Sequence, residues 1–166
     1  MKQIHVVGRK NHGKTTLIAD LVRRLTEQGV RVGTIKHTSH AHELDTPGKD
    51  SHRHRAAGAT PAAIVSHELM AVYLPRSLDG DSYHQLAPLF GHCDLVLVEG
   101  HLDNPAVKIE VWRQEAGGPP LALERDDVAA VVTDDPIDTH TPIWPRGDVA
   151  ALARNVLALV DLGSQP

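Results

Sequence analysis

The sequence has 166 residues, of which 41% are hydrophobic and only 3% aromatic, and a formal net charge of −4. This length suits a single domain, residues 1–166, with a core of aliphatic side chains. The 17 Lys and Arg residues form no dense block, which argues against nucleic acid as a partner, and no apolar run approaches the ~20 residues that cross a membrane. With no signal-peptide pattern and one cysteine, the chain is expected to be cytoplasmic.

The first 35 residues show a β-strand, turn, α-helix, β-strand pattern. Residues 4–7 predict a short buried strand, and residues 15–28 carry apolar side chains at helical spacing. Gly29 stands where a helix end favours positive φ, and residues 30–35 predict a second strand. The spacing is typical of a βαβ unit.

A polar stretch follows, residues 36–59, which we interpret as a functional loop leading into a short helix at residues 51–57. Residues 62–66 and 69–74 predict two strands, possible arms of a hairpin. Residues 82–89 predict another short helix.

The second half continues to alternate strands and helices. Residues 95–98 predict a central strand buried on both faces, residues 107–112 an outer strand, and residues 128–133 another buried strand. Residues 148–162 predict a closing helix capped by Asp148. This order predicts an open α/β fold with a mostly parallel sheet flanked by helices in three layers, αβα.

The turn at residues 8–15 fits the phosphate-loop pattern G-x-x-x-x-G-K-[ST] and lies between a predicted strand and a predicted helix, as that motif requires. Converging backbone N–H groups and the helix dipole would hold the phosphates of GTP or ATP. Lys14 would reach the β- and γ-phosphates, Thr15 would bind Mg²⁺, and Thr16 would bind an α-phosphate oxygen. The predicted nucleotide-binding residues are Gly8, Asn11, His12, Gly13, Lys14, Thr15, Thr16 and Asp134, with positive charge added by Arg9, Lys10 and His12. The sequence therefore predicts a P-loop NTPase-like domain.

Acidic residues are expected on the metal side of this site. Glu99 follows the aliphatic strand at the edge where ligands of such sheets bind, so it is a candidate Mg²⁺ ligand. Asp45 and Asp50 lie in the polar loop, and Asp45 is a candidate for both the metal and catalysis together with Lys14. A plain turn around Pro47 explains the local composition nearly as well.

Asp134 follows the strand at residues 128–133, where a carboxylate would accept the paired hydrogen bonds that guanine offers. The alternative is a cap or turn ahead of Pro136. Histidines crowd the polar loop and raise the possibility of zinc, but the loop lacks a cysteine or a helical ligand pair. These histidines are His37, His40, His42, His52 and His54.

Taken together, these motifs resemble the molybdopterin-guanine dinucleotide biosynthesis protein B (MobB) family over nearly the full length. The motifs that carry the resemblance are residues 13–16, 35–38 with His40, 45–51 followed by 57–59, 95–100 and 133–134.

The resemblance implies a GTP-binding accessory protein with at most weak GTPase activity. Its partner would be the guanylyltransferase that attaches GMP to molybdopterin, with the pterin as a further ligand, and it would form a homodimer. Lys14 and Thr15 would serve the phosphates and Mg²⁺, Glu99 and Asp45 the metal, and Asp134 the guanine. The rival hypotheses are an ATP-dependent small-molecule kinase or ligase and a GTP-dependent metallochaperone.

Overall fold

The computed structural model describes residues 2–38, 43–76 and 82–161. Contacts divide the chain into two compact units, one of residues 1–38 with 89–166 and one of residues 39–88. Two contact units do not establish two independently folding domains, so the single domain stays a prediction. In the described residues, no helix is both long and apolar enough to cross a membrane.

The predicted helices and strands are present in the predicted order with small shifts at their ends, and one strand and 3₁₀ helices that the sequence did not predict add to them. The strands are β1 (Gln3–Val7), β2 (Val32–Lys36), β3 (Ala62–Val65), β4 (Met70–Tyr73), β5 (Leu95–Glu99), β6 (Lys108–Val111), β7 (Val128–Val132) and β8 (Ile143–Trp144). The α-helices are α1 (Lys14–Glu27), α2 (Asp50–Ala56), α3 (Ser82–Leu86) and α4 (Val149–Leu159). Short 3₁₀ helices are Ala87–Phe90, Gln114–Ala116 and Leu121–Leu123.

The first unit is built on a six-stranded sheet in the order β2-β5-β1-β6-β7-β8. All of its neighbouring strands pair in parallel; Val6, for example, lies opposite Glu99 on one side and Ile109 on the other. The predicted α/β class and mostly parallel sheet are confirmed. The prediction that residues 107–112 form an outer strand is wrong, because β6 lies between β1 and β7.

One face of this sheet carries the apolar core. Alternate residues of four strands, such as Ile4 and Leu97, pack with Leu21 of α1 and Leu152 of α4 in one buried cluster. Burial of each such side chain contributes about 1.5–3 kcal/mol. Helix α1 ends before Gly29, whose φ is 80°, and the Asp148 side chain accepts the Ala151 N–H at 2.8 Å to cap α4, as predicted.

The opposite face of the sheet is also buried, and it carries polar and charged side chains. His5, Lys108 and Glu110 are at most 1% exposed. Glu110 accepts the N–H groups of Leu121 and Ala122 at 2.7 and 2.9 Å. Burial raises the pKa of Glu110, and these two hydrogen bonds oppose the rise. Lys108 Nζ lies 2.9 Å from Asp127 Oδ2, so both charged side chains of β6 have partners, which explains how a strand with polar residues can lie inside the sheet.

The second unit contains α2 and the antiparallel hairpin of β3 and β4, in which Ala62 lies opposite Tyr73. The predicted hairpin is confirmed, and it forms a separate two-stranded sheet. Its apolar side chains are largely exposed within the chain: Ile64, Val65, Leu69, Met70 and Val72.

Candidate functional site

The predicted phosphate loop connects β1 to α1 and has the backbone that its glycines permit. Gly8 and Gly13 have φ values of 139° and 92°, and Asn11 also has a positive φ of 68°. A Cβ on Gly8 would overlap the carbonyl oxygen of Val111 in β6, so a side chain there has no room. The Gly13 carbonyl accepts the Leu17 N–H at 2.9 Å, which begins α1. The loop therefore ends at a helix N-terminus, an arrangement suited to an anion.

Lys14 folds back over this loop. Its Nζ donates to the carbonyl oxygens of Gly8 at 2.9 Å and Arg9 at 2.7 Å. Burial lowers the pKa of Lys14, the charge of Glu99 opposes this, and Lys36 lowers it further. The ammonium group is thus held beside the turn where the sequence predicts the β- and γ-phosphates.

Thr15 and Glu99, the two metal ligands predicted in this unit, lie in direct contact although they are far apart in sequence. Thr15 Oγ1 donates to Glu99 Oε2 at 2.9 Å. Lys36 Nζ lies 3.3 Å from the other carboxylate oxygen, and the Glu99 side chain is 14% exposed. A hydroxyl and a carboxylate are hard oxygen ligands, and Mg²⁺ usually takes one or two such protein ligands beside phosphates and water. The pair therefore fits Mg²⁺ beside a triphosphate.

Asn11 and Thr16, the other predicted loop contacts, are both exposed to solvent. Thr16 lies in the first turn of α1, directly after the predicted metal ligand. Their roles in binding nucleotide stay predictions.

His12 behaves differently from the prediction that it adds positive charge. It is fully buried, its Nδ1 accepts the N–H of Arg113 at 3.0 Å, and its Nε2 lies 3.1 Å from the carbonyl oxygen of Gly117. The ring is therefore a neutral donor and acceptor that joins the loop to residues 113–117. Burial lowers the pKa of His12, and the charge of Lys14 lowers it further.

A cavity of about 250 Å³ lies beside the loop, formed by residues that follow β6, β7 and β8. Asp134 and Arg113 line it, and the Arg113 guanidinium lies 3.4 Å from the place of a Cβ on Gly13. The volume is below the roughly 300–1,000 Å³ of sites that enclose a whole small molecule, so it offers room for one end of a ligand.

Asp134 is exposed and lines this cavity, so its carboxylate is accessible to a ligand. Its Oδ1 accepts the N–H of Gly147 at 3.2 Å, a bond to the loop between β8 and α4 and not to the turn ahead of Pro136. The neighbouring Asp135 also lines the cavity, and its Oδ2 accepts the Gln114 N–H at 2.9 Å. The bond to Gly147 does not test the cap or turn interpretation, and the role of Asp134 with guanine stays a prediction.

Asp45 lies in the second unit, inside a local polar network. Its Oδ1 accepts the Thr46 N–H at 2.8 Å and the Ser51 hydroxyl at 3.1 Å, and Arg55 Nη1 lies 3.7 Å from Oδ2. Burial raises the pKa of Asp45, but the hydrogen bonds from Ser51 and Thr46 outweigh it, so the pKa falls below its ordinary value. The side chain is 3% exposed. This network organises the turn, and the metal and catalytic roles of Asp45 stay predictions.

A larger cavity of about 690 Å³ lies within the second unit. Its lining mixes apolar side chains with Glu43, His52, Arg55 and Tyr73. Arg55 pairs with Glu43 at 2.7 Å and lies 4.8 Å from the Tyr73 ring centroid, so its charge is already balanced inside the unit.

The histidines of the polar loop, residues 36–59, do not form a metal centre in the part of the chain that the structure describes. No group of three or more His, Cys, Asp or Glu side chains there could hold a metal ion. His37 instead stacks on His101, with ring centroids 4.0 Å apart. His40 and His42 lie outside the described residues.

Sequence reasoning missed three basic side chains at this edge of the sheet. Lys36 is the last residue of β2, and a cation directly after a predicted strand was an available signal. Arg113 follows β6, and its signal was hidden because β6 resembled an outer strand. Arg146, which pairs with Asp20 at 2.7 Å, follows the two-residue β8, which is too short to predict.

The parallel sheet, the glycine-dependent turn after β1 and the helix that follows it define a P-loop-like α/β protein. A family model described as molybdopterin guanine dinucleotide synthesis protein B (MobB) matches residues 3–134. The chain belongs to this family.

Relatives with this family's name align with the chain over most of their own length. The molybdopterin-guanine dinucleotide biosynthesis adapter protein of Escherichia coli K12 is 36% identical over 145 residues, covering 85% of this chain and 83% of the relative. The protein of the same description from Haemophilus influenzae is 36% identical over 139 residues, covering 80% and 75%.

Solved structures share the fold over nearly the full length of the chain. Bacillus subtilis MobB superposes with a TM-score of 0.74 at 27% identity, covering 96% of this chain and 98% of that one. A MobB homologue from Bacillus stearothermophilus gives 0.68 at 26% identity, covering 95% and 99%.

Proposed function

We propose that the chain binds GTP with Mg²⁺ at residues 8–16 and acts as an adapter in molybdopterin-guanine dinucleotide synthesis. The observation that carries this proposal is the contact of Thr15 with Glu99 at 2.9 Å, beside the Lys14 ammonium group. A triphosphate needs a cation over its β- and γ-oxygens and hard ligands for its metal, and these three side chains offer both. The names of the Escherichia coli and Haemophilus influenzae relatives, which are adapter proteins of this biosynthesis, support the adapter role.

The base would enter the 250 Å³ cavity, where Asp134 accepts hydrogen bonds from guanine. Adenine offers no such paired donors, so this arrangement favours GTP over ATP. The chain would hydrolyse GTP slowly or not at all. The adapter would bind the guanylyltransferase that attaches GMP to molybdopterin, in the cytoplasm.

The pterin is a further ligand in this proposal, for which the 690 Å³ cavity of the second unit offers a volume typical of small-molecule sites.

The proposal also includes a homodimer, since a second copy of the chain would cover the exposed apolar side chains of the hairpin of β3 and β4. Light scattering of the purified chain measures this directly, and a monomeric mass at micromolar concentration would remove the dimer from the proposal.

The central test is calorimetric titration of the purified chain with GTP and with ATP, each with and without Mg²⁺. We expect GTP to bind more tightly than ATP and Mg²⁺ to strengthen the binding. Equal affinity for the two nucleotides would remove the guanine site, and no binding of either would overturn the proposal. Tighter ATP binding with acceptor-stimulated turnover would instead favour a kinase.

A further inference from the structure

Arg113 holds a fixed place between the phosphate loop and the cavity beside it. Its N–H donates to Nδ1 of the buried His12 at 3.0 Å. The N–H of the next residue, Gln114, donates to Asp135 Oδ2 at 2.9 Å, after the end of β7. The backbone is therefore anchored on both sides, and the side chain starts from a defined position.

The guanidinium group of Arg113 lies with its flat face against Gly13. Its Cζ, Nη2 and Nε atoms lie 3.4, 3.4 and 3.5 Å from the place that a Gly13 Cβ would take. Because these three distances are nearly equal, the Cβ position of Gly13 lies above the plane of the guanidinium group and not at its edge. The side chain also lines the cavity that contains Asp134. A planar cation thus stands where the loop meets the cavity.

The charge of Arg113 is weakly engaged. Its Nη1 lies 3.5 Å from Glu115 Oε1, and the two side chains are 41% and 79% exposed. Ion pairs this exposed contribute little to stability because water screens them. An anionic ligand can therefore replace Glu115 as the partner of Arg113 at low cost.

We propose that Arg113 binds the α-phosphate of the guanine nucleotide and releases Glu115 when the nucleotide enters. This inference rests on the nucleotide site proposed above. The α-phosphate is the part of a nucleotide that lies between the β-phosphate and the nucleoside, and Arg113 lies between the loop and the base cavity. The forked N–H groups of arginine match two phosphate oxygens.

The test measures dissociation constants of GTP, GDP and GMP with Mg²⁺ for the full chain and four variants. Arg113→Lys keeps the positive charge but replaces the planar guanidinium group, whereas Arg113→Gln has a planar amide group and no charge. Glu115→Gln removes the competing carboxylate. Arg24→Gln is the matched control, because Arg24 is 40% exposed and pairs with Glu27 at 3.4 Å near the far end of α1.

We expect Arg113→Gln to weaken all three nucleotides by about the same factor, tenfold or more, since all three carry the α-phosphate. Arg113→Lys should lose less, Glu115→Gln should bind slightly more tightly, and Arg24→Gln should match the unmodified chain. Thermal melting checks that each variant is folded.

Three results would overturn the inference: unchanged affinity in Arg113→Gln, a loss confined to GTP, or better binding by Arg113→Gln than by Arg113→Lys, which would indicate stacking on the base. If the unmodified chain bound none of the nucleotides, the proposed site would fail and this role with it. If the unmodified chain bound GTP and the Arg113 variants bound it equally well, only the role of Arg113 would be wrong and the nucleotide site would stand.

Discussion

Thr15 donates its hydroxyl hydrogen to Glu99 at 2.9 Å and thereby links the start of α1 to the end of β5. The contact exists because β1 and β5 are parallel neighbours whose carboxyl ends lie at the same edge of the sheet. Lys36 at the end of β2 reaches the same carboxylate at 3.3 Å. Three strands that are distant in sequence therefore meet at one charged site, and substitutions there test it.

Loss of the Lys14 ammonium group should abolish triphosphate binding. We expect Lys14→Ala to weaken GTP on the order of 100-fold or more, because charge-assisted hydrogen bonds to phosphate are lost. The fold should remain, since the apolar core is unchanged. Calorimetry measures the affinity and circular dichroism the fold. Lys10→Ala, a charge-matched change in the same loop, should lose much less, and equal losses would mean that only general charge matters.

Removal of either metal ligand should reduce the benefit of Mg²⁺. In Thr15→Ala and in Glu99→Gln, the factor by which saturating Mg²⁺ strengthens GTP binding should fall by about tenfold, with little change in its absence. Titrations of GTP in Mg²⁺ and in EDTA measure that factor. Glu27→Gln, at the far end of α1, serves as the carboxylate control. An unchanged Mg²⁺ effect in both variants would place the metal elsewhere.

The base preference should depend on Asp134. Asp134→Asn presents an amide donor where guanine also donates, so the preference for GTP over XTP should fall by about tenfold. Competition titrations of the two nucleotides give the ratio. Asp138→Asn, an exposed carboxylate in the segment that follows, is the control. A ratio that stays the same in Asp134→Asn would move the base pocket away from this cavity.

The buried His12 should make stability depend on pH. Its folded pKa is lowered, chiefly by burial, so below about 6.5 the unfolded chain binds a proton that the folded chain resists. The free energy of unfolding therefore falls as pH drops below this value. Urea denaturation at pH 7.5 and pH 5.5 should show a smaller drop for His12→Gln than for the unmodified chain. His5, whose pKa burial also lowers, is present in both chains and cancels. Equal drops would show that the ring of His12 is protonated without cost.

Local patterns predicted most of the fold because its elements follow local rules. Periodicity located α1, and Asp148 and Gly29 marked helix ends through capping chemistry that involves a few neighbouring residues. The place of β6 could not be predicted in the same way. Its Lys108 and Glu110 look solvent-facing until partners distant from the strand, such as Asp127 and the N–H of Leu121, are known.

The residues of the candidate site show the same contrast between what local sequence predicts and what only the folded chain reveals. The sequence placed Thr15 and Glu99 at one edge because strand direction alone decides it. It assigned positive charge to His12, since nothing local reveals that Arg113 and Gly117 use both ring nitrogens. Arg113 was missed for the same reason, because its importance arises from contact with Gly13, a neighbour only in the folded chain.

The chain leaves the first unit after residue 38 and returns at residue 89, although β2 and β5, which this excursion joins, are side-by-side partners with Ile35 opposite Val98. Strand register, and not the intervening segment, fixes their pairing. Closing a longer flexible connection costs only about 0.6 kcal/mol for each doubling of its length. The pairing of β2 with β5, and with it the position of Glu99 at the end of β5, therefore depends little on the length of residues 39–88.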